Sequence, residues 1–238
     1  MRLVLAAVLL CAAPSVAVHA AGLTCPADSL DKDGRASVLL FSALPLSETK
    51  FAVRWTKAQK ELKKEFPGLR FEKTENLHIT LVFVGMGWEP AKIEEMEMLG
   101  LDGPDLSSGA LKLKGAMDLF GPKKHVAVLH FDPTPAEWGA RLMKNRQTMT
   151  DRGFRKRDMF DDQFKAHVSL AFASKPEEQR AELERFEKWM TDHAARFDGL
   201  EVSVDRKVKP AFFVVLGKDE AVRFAPLHGY CSASALKN

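Results

Sequence analysis

Two short segments of this sequence place a hydroxyl residue two positions after a histidine. They read Asn76-Leu77-His78-Ile79-Thr80-Leu81-Val82-Phe83 and Lys165-Ala166-His167-Val168-Ser169-Leu170-Ala171-Phe172. Aligned on the histidine, they share a β-branched residue, a hydroxyl residue and Leu, with an aromatic ring three positions past the hydroxyl. Side chains alternate across a strand, so His78 and Thr80 share one face while Leu77, Ile79 and Leu81 share the other. The same alternation sets His167 and Ser169 against Ala166, Val168 and Leu170. Phosphodiester chemistry suits such a set. A neutral imidazole can take a proton from an attacking water or hydroxyl, and a protonated one can supply the departing oxygen. The Thr and Ser hydroxyls can donate to non-bridging oxygens, where negative charge accumulates. A single strand histidine is more often packed or solvated than functional, but two matched pairs 89 residues apart are hard to obtain by accident. The remaining histidines lack such a pairing. His125 and His130 are five apart on one strand, hence on opposite faces, and read as structural; His193 and His228 read as surface residues. The sequence shows neither a Gly-rich phosphate loop nor a carboxylate-rich or His/Cys metal cluster. No metal or cofactor is therefore expected.

The elements that must position these residues can be placed from periodicity and punctuation. Ser37–Leu44 is an apolar stretch bounded by Pro45 and reads as a buried strand. Ser47 looks like an N-cap for a helix over Lys50–Phe66, which Pro67-Gly68 stops. Leu77–Val84 is the first histidine strand, and Glu89-Pro90 opens a shorter helix to about Leu99. Strands over Ala110–Leu119 and His125–Phe131 follow, then a helix from Pro135 to about Arg152 that halts at Gly153. Phe164–Ala173 is the second histidine strand, and Pro176 to about Arg196 a charged amphipathic helix. Val202–Val208 and Phe212–Leu216 read as a terminal pair of strands. Helices between strands, with short connectors at two strand pairs, indicate an α+β fold with antiparallel pairing. The two halves resemble each other, each having a strand, a helix, a histidine strand and another helix, as internal duplication would produce.

Whole-chain properties bound this reading. The chain has 238 residues and a formal charge of +3, which is too mild to argue for a nucleic-acid partner. Met1-Arg2, the apolar run Leu3–Ala13 and the small residues around Ala20-Ala21 have the layout of a cleaved signal peptide over residues 1–21. The apolar run is too short to span a membrane. A periplasmic or secreted protein is expected, with no membrane association after cleavage. Of three cysteines, Cys11 leaves with the signal. Cys25 and Cys231 remain near the two ends as a disulfide candidate in an oxidising compartment. Arg152, Arg155, Lys156 and Arg157, with Phe154 and Phe160 nearby, form a basic run before the second motif. Arg155 and Arg157 are candidates to hold a phosphate backbone. A solvated loop accounts for the same residues, and Asp158, Asp161 and Asp162 offset the charge.

The motifs resemble those of the 2H phosphoesterase superfamily, in particular its RNA 2′,3′-cyclic phosphodiesterase or 2′-5′ RNA ligase (LigT-like) branch. Asn76–Gly85 is similar to the first motif of that branch, and Val38–Leu44 followed by Pro45 to its N-terminal segment. The second motif is a looser match, because Ala166 and Phe172 stand where many relatives have Pro and Arg. The resemblance implies two pseudo-symmetric lobes of mainly antiparallel sheet, flanked by helices, around a central cleft. It covers about residues 36–217, which leaves a leader over 22–35 and a tail over 218–238 outside the domain. It further implies His78 and His167 as catalytic residues, and Thr80 and Ser169 as phosphate-binding ones. The implied substrate is a small nucleotide or RNA-end phosphodiester, hydrolysed without metal by a chain expected to act as a monomer with no obligate protein partner. Two alternatives remain open: an exported nucleotide- or RNA-binding module of the same fold, and an enzyme for a non-nucleotide phosphodiester.

Overall fold

Thr49 begins the first long helix by accepting a hydrogen bond from the Ala52 amide. This cap, placed two residues beyond the expected Ser47, satisfies a donor that the first helical turn leaves open. In the computed structural model the described residues are 23–101, 103, 110–121, 123–131, 136–157, 164–197, 201–203, 209–217 and 222–233. Among these, chain order begins with β1 (Leu23–Thr24), β2 (Leu39–Pro45), α1 (Lys50–Glu65), β3 (Arg70–Phe71), β4 (His78–Gly85) and α2 (Pro90–Met98). Then follow β5 (Ala110–Phe120), β6 (Val126–Phe131), α3 (Ala136–Asp151), β7 (His167–Phe172) and α4 (Arg180–Asp192). The last elements are β8 (Glu201–Ser203), β9 (Ala211–Leu216), β10 (Arg223–Pro226), α5 (Leu227–Tyr230) and β11 (Ser232–Ala233).

Each helix buries one stripe. Phe51, Ala52, Trp55, Ala58 and Leu62 do so in α1, and Leu183, Phe186, Trp189 and Met190 in α4, with charged residues on the outer faces. Gly153 adopts a positive φ of 69° just past α3. The Phe154 and Gly153 amides then bond the Met149 and Thr150 carbonyls, the closing pattern that a left-handed residue permits.

The strands run β10-β9-β2-β4-β7-β6-β5-β8 in one mainly antiparallel sheet, with β3 also pairing β7. This is the expected α+β architecture, and its middle is its narrowest point. β4 and β7 pair only at Ile79 and Val168. Beyond that bridge β3 takes β4's place along β7, pairing Arg70 with Phe172 and Phe71 with Ala171. The sheet therefore forks between the two histidine strands into two lobes.

Among the described residues the expected terminal strands are not paired with each other. β8 pairs with β5 at one edge, whereas β9 pairs with β2 on the other side of the fork. Both segments are apolar enough to pair, and local sequence cannot say with which neighbour. The segments read as leader and tail also join the fold. β1 pairs with β11, β10 pairs with β9, and Leu23, Cys25, Leu227 and Cys231 belong to the core. Residues 1–22, including the expected signal, lie outside the described residues. Among the described residues no helix is long and apolar enough to cross a membrane.

Candidate active site

The Ile79–Val168 bridge fixes the level of every site residue. Both side chains are fully buried, so alternation sends His78, Thr80, His167 and Ser169 to the opposite, partly open face. Antiparallel register sets His78 level with Ser169, and Thr80 level with His167. The two histidines thus occupy diagonal corners, a spacing of about 7–8 Å in ordinary sheets. A phosphodiester fits between such corners, with an imidazole on each side.

Each histidine strand also carries a bulge at the same place. Ala43 pairs with Thr80 but Ser42 with Val82, which leaves Leu81 extra. Val128 pairs with Ser169 but Ala127 with Ala171, which leaves Leu170 extra. Leu81 and Val82 are therefore both buried, as are Leu170 and Ala171. The residue five past each histidine, Phe83 or Phe172, consequently shares the histidine's face. Strict alternation would have turned it inward.

The two imidazoles are held alike. His78 Nδ1 lies 2.7 Å from the Asn76 carbonyl oxygen, and His167 Nδ1 lies 2.8 Å from that of Lys165. A carbonyl only accepts, so Nδ1 carries the proton in both rings and Nε2 is the atom that titrates. His78 Nε2 receives the Thr80 hydroxyl at 3.1 Å. Its ring packs between Phe41 and Phe224, at centroid distances of 5.0 and 4.7 Å. His167 packs beside Phe120 at 4.8 Å and His130 at 6.1 Å. Burial pushes the His78 imidazole down to about 4, with His167 adding in the same direction against the Asn76 carbonyl. His167 is also lowered, first by burial and then by His130 and Arg146, with the Lys165 carbonyl opposing.

Asn76 organises the surroundings of His78. Its side-chain amide donates to Glu72 Oε1 at 3.1 Å and to the Val222 carbonyl at 3.0 Å, and its Oδ1 accepts the Phe224 amide at 3.1 Å. One residue thus orients the ring through its carbonyl and anchors Phe224 through its side chain. Glu72 is 2% exposed, and burial raises its carboxyl above the usual range.

Other expected site residues are placed differently. Arg155 is 6% exposed, and its Nε–H donates to the Phe83 carbonyl at 2.8 Å. Its guanidinium thus braces the backbone of β4 rather than facing solution. Arg157 is exposed at the end of the same segment, Phe154 is buried, and Phe160 lies outside the described residues. A cation does reach the site face, from β3. The Arg70 guanidinium sits 4.1 Å over the Phe172 ring, its register partner. Nothing local in the sequence marks Arg70, because only the pairing of β3 with β7 brings it there. Cys25 and Cys231 form a disulfide across 206 positions. Among the described residues no group of three His, Cys, Asp or Glu could hold a metal ion.

Comparison with solved structures assigns the fold. A structure described as a phosphoesterase matches with a TM-score of 0.51 at 16% identity, over 79% of this chain and 95% of its own. The chain has the 2H phosphoesterase fold. TT0787 of Thermus thermophilus matches with a TM-score of 0.49 at 16% identity, covering 83% of this chain and 99% of its own. E. coli LigT complexed with 3′-AMP matches with a TM-score of 0.49 at 15% identity, covering 79% and 94%. No protein-family model matches the sequence, and no curated protein matches it. In this 2H phosphoesterase fold, the forked sheet is what places two strand-borne histidines on one face.

Proposed function

We propose that this protein is a phosphodiesterase that opens 2′,3′-cyclic phosphates or cleaves 2′,5′-linked ribonucleotides by two-histidine acid–base catalysis. The observation that carries this reading is the gathering of two His–hydroxyl pairs around the single Ile79–Val168 bridge. The phosphate would sit between His78 and His167, with its non-bridging oxygens toward Thr80 and Ser169. One neutral Nε2 accepts the proton of the attacking water as its oxygen bonds phosphorus. The other Nε2, protonated, donates to the ribose oxygen as that P–O bond breaks, leaving a phosphomonoester and a free hydroxyl. Proton transfer of this kind contributes about 10²–10⁴-fold.

Flanking residues support a nucleotide over a ringless phosphodiester. Phe83 is 44% exposed and pairs in register with Phe41, whose ring packs on His78, so it offers a stacking surface beside the dyad. Arg70 on Phe172 offers a cation on the other lobe. The apolar N-terminal segment and the Cys25–Cys231 pair support export, since disulfides persist in oxidising compartments.

The test is turnover of 2′,3′-cyclic nucleotides, 2′,5′-dinucleotides and a ringless phosphodiester by the purified disulfide-bonded protein in excess EDTA. We expect cleavage of the nucleotides, and a loss of about 10²–10⁴-fold in His78→Ala or His167→Ala with folding intact. Full activity in either variant, or loss of activity to EDTA, refutes the mechanism. Tight nucleotide binding without product selects the binding-module alternative.

A further inference from the structure

Each histidine of the dyad sits in a slot made by two rings, yet the slots differ chemically. Phe41 and Phe224 flank His78, and neither can carry charge. Beside His167 one ring is again Phe120, but the other is the imidazole of His130. The position is fixed by the sheet. His130 of β6 stands directly opposite His167 of β7, so the two side chains share the site face, with centroids 6.1 Å apart. The matching position beside His78 is Pro45, which cannot titrate. Beyond His130, on β5, Asp118 Oδ2 lies 3.9 Å from His130 Nε2. A carboxylate, an imidazole and the His167 imidazole thus follow one another across three strands. His130 was expected to be structural, and only the β6–β7 register brings it to the site.

We propose that His130, standing opposite His167 and facing Asp118, is a positioning residue whose imidazole sets the proton affinity of His167. The proposal rests on the two-histidine reading above and deepens it. Charge on His130 would oppose a second charge on His167 at this separation, whereas the two rings that flank His78 carry none. Among the described residues, Asp118 from β5 and His167 from β7 face His130. His167 also feels Arg146 from α3, whose guanidinium donates to the Leu81 carbonyl at 3.0 Å, and His167 in turn lowers His78 across the fork. His130 is therefore one contributor among named neighbours, and its share can be isolated.

The experiment is an NMR titration of the histidine rings in the intact, disulfide-bonded protein, comparing the wild type with His130→Phe and His130→Gln. Phenylalanine restores the ring that occupies the His78 slot, and glutamine removes the charge while keeping a polar side chain. In both variants we expect the His167 midpoint to rise by about half a pH unit, the order expected for like charges near a surface. The His78 midpoint should stay in place. A limb of the pH dependence of kcat/KM should move with His167. If the phenylalanine variant misfolds, the glutamine variant carries the test. An unmoved His167 midpoint overturns the proposal, and equal movement of His78 and His167 overturns it too, because that marks a general rearrangement. The titration needs no turnover, so loss of the proposed activity and loss of this inference remain distinguishable.

Discussion

An imidazole whose Nδ1–H is tied to a carbonyl has one nitrogen left to exchange protons, and both site histidines are built this way. Burial disfavours the charged form of both rings. A phosphodiester anion between them reverses that preference, because a negative charge a few ångströms away stabilises an imidazolium. Binding of a non-hydrolysable phosphate analogue at pH 6–7 should therefore take up a proton. Calorimetry in buffers of different ionisation enthalpy measures it, and equal heats in all buffers contradict it. The same burial has a stability consequence. His78 falls from an ordinary value near 6.5 to about 4 on folding, so between those values the unfolded chain binds the proton and the folded one does not. Stability is full above about pH 6.5 and declines as pH falls toward about 4. Urea unfolding of His78→Gln across this range should show a shallower decline than the wild type. At the hydroxyls, Ser169→Ala should lower kcat roughly a hundredfold with little change in KM, as for loss of one donor to developing charge.

Elements supply the alignment, and here the bulges and the Asn76 anchor matter most. A bulge one residue past each hydroxyl turns Phe83 and Phe172 to the site face, as bulges beside active sites commonly re-aim side chains. The histidine, hydroxyl and following apolar residue were legible from period-two alternation alone. The bulge was not, because it depends on the partner strand. Asn76→Ala should be costly on two counts. It frees β10 and Phe224 from the His78 ring, and it leaves the buried Glu72 carboxyl with the Lys73 amide but without its side-chain donor. We expect a loss of about 2–3 kcal/mol of stability together with lower kcat, checked by urea unfolding and steady-state kinetics. Arg155→Ala should behave differently, with lower stability from loss of the Phe83 carbonyl contact and little change in KM. A large rise in KM would return Arg155 to the substrate site.

At the scale of the molecule, the lobes are not the two halves of the chain. The strand after α2, β5, pairs with β6 of the second half, and β9, which follows α4 and β8, pairs with β2 of the first. The helices exchange as well. Phe51 of α1 packs on Phe131 of β6, and Arg146 of α3 reaches the Leu81 carbonyl of β4. Neither half can complete its sheet alone, which joins the lobes despite the single bridge at the fork. The Cys25–Cys231 disulfide closes the remaining ends. In the chain-entropy account a loop of this size contributes about 5 kcal/mol. Cys231→Ser, or reduction, should therefore lower the melting temperature markedly. Because α5 and Cys231 follow β10 directly, the variant should also lose activity below its melting temperature. Unchanged activity would separate the ends from the site.

The sequence by itself determined that each histidine and its hydroxyl share a strand face, because histidine, hydroxyl and apolar residues at period two state which side chains point the same way. It also determined the α+β class and the helices, through caps, stops and amphipathic stripes, since these are local properties of the backbone. Only the tertiary structure decided which strands became neighbours. Pairing partners are chosen by long-range register, so it placed His130 opposite His167, Arg70 over Phe172 and Phe224 against His78. It likewise buried Arg155 and sent β8 and β9 to different lobes. The two motifs supply the histidines, and the packing around them decides how differently the two are surrounded.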